Sequence, residues 1–416
     1  MFRVTTGMLK DTMLYNLGVS HREMNTAQNQ IATGKKAEFP HQDPSGTINS
    51  MLFKSRITEL GQFQENIDDG ESRLRFYDTA LQSTGDILQR LKELSVQAAN
   101  GSYNDDDRKI AAAEVDQLLK QMIDIANTRY KDETIFSGFK TGELPFKPVY
   151  EKVPNSPHAL ISKIEYQGDI GIQKREIEQE QYVGVNLPGN RVFWGDEMRL
   201  SSTTPGTDYR AARDQVFRID GVPVEVKAGD TLAVIVQKIN ATHIPVHASI
   251  DNTRGANLIV LETTDPHQVW IEDIEGGSVM QDLGLIARGS NLPPKNYSPT
   301  ARVSGGSIFD QIVDFRNALL SNDVDALGSK HMGRLENAIK QISRYRGEVG
   351  ALDARLDSVK KRLAMDQVNM TDVLSRTEDI DMAEAITRLR MLESIERSAM
   401  QIGGRIIPQT LLDFLR

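Results

Sequence analysis

Cysteine is missing altogether. Its absence removes disulfides, thiolate metal sites and cysteine nucleophiles, and it fits the cytoplasm as well as an exported protein that does without the residue. Aromatic residues make up only 6% of the chain, few for one large core and suited to long, thin helical parts. Positive charge is in deficit: 49 Lys and Arg stand against 58 Asp and Glu, for a net charge of -9. That balance argues against nucleic acid as a partner, because phosphate contacts need a basic surface. No apolar run reaches the roughly eighteen residues of a membrane-crossing helix, so no membrane insertion is expected. The opening MFRVTTGMLKDTMLYN also lacks the basic-then-apolar layout of a secretory signal.

Proline is absent over two long stretches, Ser45–Leu144 and Thr300–Ile407, while twelve of the fifteen prolines lie between Pro145 and Pro299. Proline breaks helix interiors. The two proline-free arms can therefore hold long helices and the middle cannot. This divides the chain of 416 residues into an end segment 1–45, a helical arm 46–144, a β-rich middle 145–300, a second arm 301–376 and a second end segment 377–416.

Both arms carry heptads. Phe53, Leu60, Phe63, Ile67, Leu74, Tyr77, Leu81, Leu88, Leu91 and Ala98 share one 3-4 register, with Arg56, Gly70, Thr84 and Ser95 in its weaker slots. A single helix over 53–98 would run roughly 70 Å at about 1.5 Å per residue, a length that calls for a coiled-coil partner. Asn100-Gly101 stops it, and Asn104 or Asp105 caps a returning helix whose buried face is predicted at Val115, Leu118, Met122 and Ile125. The second arm repeats the register through Leu335, Ala338, Ile342, Tyr345, Val349, Leu352, Leu356, Val359, Leu363, Met370 and Val373, interrupted by Asp366. The predicted rod seam is centred on Leu74, Leu81, Leu88, Leu352, Leu356 and Leu363.

The end segments carry thinner stripes. One is Met13, Leu17, Ser20, Met24, Ala27 and Ile31; the other is Ala385, Leu389, Leu392, Ile395, Ala399, Ile402 and Ile406. Isolated helices are marginal in water without packing. The expectation is that both ends are loose in the monomer and order against neighbouring subunits. The apolar tail IIPQTLLDFLR extends the second stripe, placing Leu411, Leu412 and Phe414 beyond Pro408. The expected assembly interface is Met13, Leu17, Met24, Ile31, Leu389, Leu392, Ile395, Ile402, Leu411, Leu412 and Phe414.

The middle alternates as strands do, in ALISKIEYQ, VFRIDGVPVEVKAGD and GANLIVLETT, with turn signals at Asp220-Gly221 and Gly229-Asp230. One short helix fits TLAVIVQKINAT, with Thr231 at its start. His243 and His247 stand four apart, but a proline lies between them and no third ligand is evident, so no metal is assigned. HExxH, the P-loop and the GxSxG elbow are absent. The acidic run Glu378, Asp379, Asp381 and Glu384 suits a helix start and lacks EF-hand spacing. No cofactor and no catalytic group is expected.

The fold class implied is mainly α with an inserted β-rich domain: a long antiparallel coiled-coil bundle built from both arms, its end helices disordered in the monomer. Such a design points to self-assembly. It is also where a family resemblance emerges. The stretch Asn29–Gln82, with Thr33-Gly34-Lys35 and Asp43-Pro44-Ser45-Gly46, resembles the flagellin amino-terminal signature. ELSVQAANGSYNDDDRKIAAAEVDQLLKQMIDIANT resembles that family's helical hairpin. RYRGEVGALDARL and EDIDMAEAITRL resemble its carboxy-terminal half. Together these cover about 1–143 and 305–416, in the family's order, and residues 217–264 resemble the family's small β insert.

YKDETIFSGFKTGELPF and the ending Leu411-Leu412-Asp413-Phe414-Leu415 are similar to the branch of the family that joins hook to filament. Pro408 departs from that pattern. The resemblance implies a structural subunit of the bacterial flagellum, exported unfolded without a cleaved signal and lying outside the cell, or in the periplasm if the flagellum is internal. It implies as partners other copies of itself in a ring layer, hook-associated protein 1, flagellin, and an export chaperone on the C-terminal helix. Three rival readings stand beside it: the filament subunit itself, a secreted enzyme acting through the β middle, and a glycan-binding β module.

Overall fold

The computed structural model describes residues 6–37, 39–100, 103–154, 158–252, 256–274, 276–287, 289 and 292–406. The chain forms two compact units, one of residues 1–65 with 359–416 and one of residues 66–358. It is mainly helical, its long N- and C-terminal helices pack together, and its centre is β-rich.

In the first unit, helix α1 (Thr6–Thr33) lies along helix α7 (Met382–Ile406). The pair is antiparallel: His21 meets Glu396, and Lys35 forms an antiparallel bridge with Asp379. The sequence suggested end helices without a fixed partner in the monomer; here each finds the other. The same unit holds the start of α2 (Pro44–Ala99) and the end of α6 (Met332–Glu378). Pro44 opens α2, where a missing N–H is harmless. The Asp43 carboxylate accepts from the Gly46 amide at 2.8 Å. Leu60, Phe63, Val359 and Leu363 form a narrow buried seam.

In the second unit, α2 from residue 66, helix α3 (Asp105–Ala126), helix α5 (Ile308–Ser321) and α6 up to residue 358 supply the helical layer. Every heptad position of α2 from Ile67 to Ala98 is buried, Thr84 and Ser95 included. Two exposed-side ion pairs set the antiparallel register of α2 against α6: Lys92 with Glu336 at 2.9 Å and Asp78 with Arg346 at 3.0 Å. Gly70 occupies a seam slot because space there is short: a Cβ would meet Val185 Cγ1 at 3.2 Å and Leu356 Cδ1 at 3.3 Å. Leu352 is only half-buried, and Asp366 and Val373 are exposed. Asn104 caps α3 in a capping box with Asp107, and Ser307 caps α5 likewise with Asp310. The buried face of α3 runs through Val115, Leu119, Met122, Ile123 and Ala126, with Leu118 and Ile125 half-buried. The predicted stripe is therefore rotated by one position at two places, because a run of neighbouring apolar residues leaves the phase of a helix open.

The β-rich part has two main antiparallel sheets. One is ordered β8 (Val246–Asp251), β9 (Leu258–Thr263), β5 (Arg199–Ser201), β11 (Arg302–Ser304); the other is ordered β10 (Ile271–Asp273), β6 (Gln215–Ile219), β7 (Val222–Val226). Helix α4 (Leu232–Ala241) lies between β7 and β8 in the chain and buries Leu232, Ile235 and Ile239. Two hairpins, β1 (Phe146–Lys152) with β2 (Ala159–Tyr166) and β3 (Lys174–Glu178) with β4 (Gln181–Gly184), complete the middle. Asp220 and Gly221 turn β6 into β7 with φ of 51° and 83°, the left-handed pair that a tight hairpin requires. The 217–264 insert is not self-sufficient: both of its sheets are finished by strands that lie outside it in the sequence.

Candidate assembly surface

The end pair has two faces. Met13, Leu17, Ser20, Met24 and Ile31 on α1 are half-buried and Ala27 is buried. On α7, Ala385, Leu389 and Ala399 are half-buried and Leu392 is 7% exposed. Of the residues expected at an interface, Met13, Leu17, Met24, Ile31, Leu389 and Leu392 therefore line the seam of this helix pair. Ile395 and Ile402 do not: they are 44% and 55% exposed. The seam keeps the strict 4-3 spacing 385, 389, 392, 396, 399, which carries Glu396 inward. There the His21 imidazole lies 3.3 Å from the Glu396 carboxylate. Choosing the apolar neighbour at 395 over the charged residue at 396 is the natural reading of composition and the wrong one for phase. Leu411, Leu412 and Phe414, with Pro408, lie outside the described residues, as does the side chain of Ile406.

Apolar side chains are also exposed on the flanks of this seam. Leu14, Tyr15, Ile386, Met391, Ile395, Met400 and Ile402 are all exposed. Ile48, Met51, Leu52, Met365 and Val368 continue the theme on α2 and α6 within the same unit. More than half of the large apolar side chains exposed among the described residues belong to this unit, which holds under a third of the chain. Soluble monomers rarely display apolar surface so concentrated; it marks an interaction site.

Two connecting loops are latched at the base of the pair. Glu378 is held by Lys35 and, at 2.6 Å, by Lys54. The Lys36 amide donates to the Glu378 carbonyl at 2.7 Å, and the Ile380 amide donates to the Gly34 carbonyl at 3.0 Å. The hydrogen bonds from Lys35 and then Lys54 hold the Glu378 carboxyl below the usual carboxylate range, and the same contact raises Lys35. The sequence reading of Glu378 as part of a helix-start cluster missed this. Its partners come from more than three hundred residues away.

In the second unit the Ile-Phe-Ser-Gly segment is an anchor. Phe136 packs edge-on against Tyr77 at 5.1 Å and Phe193 at 5.0 Å, and Phe193 stacks on Phe309. The Tyr77 hydroxyl donates to the Ile135 carbonyl, and the Gly189 amide and the Tyr166 hydroxyl both donate to the Phe136 carbonyl. Ser137 is fully buried and shares a hydrogen bond with Thr134 at 2.7 Å. Gly138 has φ of 75° and lies so close to Asp169 that a Cβ would sit 2.6 Å from its carbonyl oxygen. Each residue of the motif thus has a packing reason.

His243 and His247 are both exposed, and His247 pairs with Glu262 across β8 and β9. Sequence reasoning missed His267, which is fully buried between Asp220 at 2.9 Å and Asp265 at 3.0 Å. It also missed the buried Arg316, which binds Asp116 at 2.9 Å and the Ile161 carbonyl at 2.7 Å. The distant partners, Asp220 for His267 and Asp116 with Ile161 for Arg316, are brought in by the fold and leave no local signal.

Two stretches of the chain match known family models: residues 4–141 match the bacterial flagellin N-terminal helical region and residues 332–415 its C-terminal helical region. With the paired terminal helices and the β-rich centre, these matches define a structural subunit of the bacterial flagellum. The two matches together take in more than half of the sequence, and the chain belongs to the flagellin family. A flagellin of Clostridium tyrobutyricum is 21% identical over 408 residues, covering 98% of this chain and 99% of that protein. The flagellar filament 30.7 kDa core protein of Treponema maltophilum is 35% identical over 112 residues, 27% of this chain and 39% of that one. Among solved structures, flagellar hook associated protein-3 of Legionella pneumophila is similar at 18% identity and a TM-score of 0.46, over 78% of this chain and 98% of that one.

Proposed function

We propose that this chain is the subunit that joins hook to filament, hook-associated protein 3, and that it works by assembly rather than catalysis. The observation that carries the assembly reading is the two-faced end pair: an inner seam that holds α1 to α7, and an outer row of Leu14, Tyr15, Met391, Ile395 and Ile402 left for neighbours. Its proposed partners are further copies of itself in a ring layer, hook-associated protein 1 on one side and flagellin on the other, with an export chaperone covering the C-terminal helix before assembly.

Junction rather than filament is supported by the Ile135-Phe136-Ser137-Gly138 segment and by the Leu-Leu-Asp-Phe-Leu ending, both similar to the junction branch. The rival reading, a filament subunit, draws support from the flagellin names of its relatives in sequence. Electron microscopy of a deletion strain separates the two. Loss of a junction protein leaves hooks without filaments and flagellin in the medium. A strain that still grows filaments of normal attachment, or that loses the filament while keeping the junction layer, rules the junction reading out.

A further inference from the structure

Methionine is the only sulfur-bearing residue of this chain, which has 14 of them and no cysteine. Its placement divides by unit. Among the described residues Met8, Met51, Met365, Met391 and Met400 are between 58% and 67% exposed, and all five belong to the first unit. Met122, Met198 and Met280 are at most 1% exposed, and all three belong to the second. Methionine is apolar and is more often found inside. Its unbranched, polarisable side chain also suits surfaces that must adapt to more than one neighbour. The methionines of the α1–α7 seam itself, Met13 and Met24, are half-buried, so the most accessible sulfurs are not the ones that hold the pair.

A thioether needs no deprotonation to react, so access to its sulfur governs its oxidation. Hydrogen peroxide supplies one oxygen. The sulfur lone pair attacks it, the O–O bond breaks and an S–O bond forms. The proton on the transferred oxygen joins the departing hydroxide, which leaves as water. Sulfur gives up an electron pair and the peroxide takes it. The product sulfoxide is polar. On an exposed side chain the new oxygen stays hydrated and no core is disturbed. Docking against a neighbour strips that water, and a polar group buried without a partner is costly. The same oxygen is therefore silent in the free subunit and unfavourable in an assembled one. We propose that Met8, Met51, Met365, Met391 and Met400 are a modification site for peroxide-type oxidants, and that their oxidation blocks assembly while leaving the subunit folded. The block on assembly rests on the assembly reading above; the site of oxidation does not.

The full chain is treated with hydrogen peroxide at neutral pH, and the gain of one oxygen at each methionine is followed by peptide mass spectrometry. The five exposed methionines should oxidise at least about tenfold faster than Met122, Met198 and Met280, with helix content by circular dichroism unchanged. Equal rates, or a loss of helix content as the exposed five react, overturn the proposal. Assembly is read as the motility restored when the subunit is induced in a deletion strain, with and without sublethal peroxide. Peroxide should cut restoration by the parent chain at least about fivefold, and by a chain carrying Leu at all five positions less than about twofold, because Met to Leu conserves volume and removes the sulfur. Equal cuts overturn the proposal. Met391→Gln and Met400→Gln, polar stand-ins for the sulfoxide, keep the test decisive if the fivefold Leu chain does not assemble. Each should restore at least about fivefold less motility without peroxide, at unchanged helix content; full restoration by both overturns the block on assembly. If Ile395→Asp also restores motility, the assembly reading itself fails, and unequal oxidation rates then still support the oxidation site.

Discussion

His267 has no contact with solvent, yet both of its ring nitrogens face carboxylates. Burial pulls its pKa down, but the hydrogen bonds and charges of Asp220 and Asp265 outweigh it and carry the value up to about 9. A group whose pKa is raised on folding stabilises the fold fully below its unfolded value, near 6.5, and loses that contribution as pH rises through the folded value. The second unit should therefore lose up to about 3 kcal/mol between about pH 6.5 and 9.5. Thermal melts across that range check it, and His267→Asn should flatten the slope; an equal slope in that variant removes His267 as its source. Arg316 makes a second residue-scale case. Replacing Asp116 by Ala leaves a fully buried guanidinium facing only the Ile161 carbonyl and Asn317. A cost of about 3–5 kcal/mol follows, readable as a lowered denaturant midpoint at unchanged m-value.

At the level of elements, burial ranks the seam substitutions. Leu81 is fully buried, so Leu81→Asp should unfold the bundle, a loss above about 4 kcal/mol. Leu352, half-buried, should lose only about 1–2 kcal/mol on the same change. On α7 the ranking separates folding from assembly. Leu389→Asp enters the α1–α7 seam and should loosen the pair. Ile395→Asp faces outward and should leave the monomer's helix content unchanged by circular dichroism while abolishing motility. An Ile395→Asp protein that still complements motility removes the outward row from the interface. The Glu378 latch gives the pH-dependent counterpart. A depressed carboxyl pKa contributes stability above the unfolded value and loses it as pH falls through the folded one. The lysines that hold Glu378 are about half exposed, so the effect is modest, on the order of 0.5 kcal/mol. Glu378→Gln should lower the amide protection factors of α1 and α7 at neutral pH to those that the parent shows only in acid.

On the scale of the molecule, the helices Thr6–Thr33 and Met382–Ile406 pair, and the β-rich part lies between them in the sequence. Removing residues 146–300 takes out the β-rich part together with Phe146 and Phe193, whose rings pack against Phe136 and Phe309. A deletion strain that builds normal filaments would show that the helical arms carry the function. Failure accompanied by an unfolded monomer would instead trace to the lost aromatic anchor, which a shorter deletion of 199–304 spares.

Periodicity fixed the helical arms, because a long 3-4 repeat admits one buried face and proline-free stretches permit it. Strand alternation and Asp-Gly turns marked the middle for the same local reason. Caps were legible as well: Asn104 and Ser307 each stand three residues before an aspartate. What the sequence left open was phase and partnership. Whether 395 or 396 turns inward depends on the opposing helix, and composition favours the isoleucine. The lysines on Glu378, Asp220 on His267 and Asp116 on Arg316 join residues that lie from tens to hundreds of positions apart. Only chain folding sets those distances, and no local pattern encodes them.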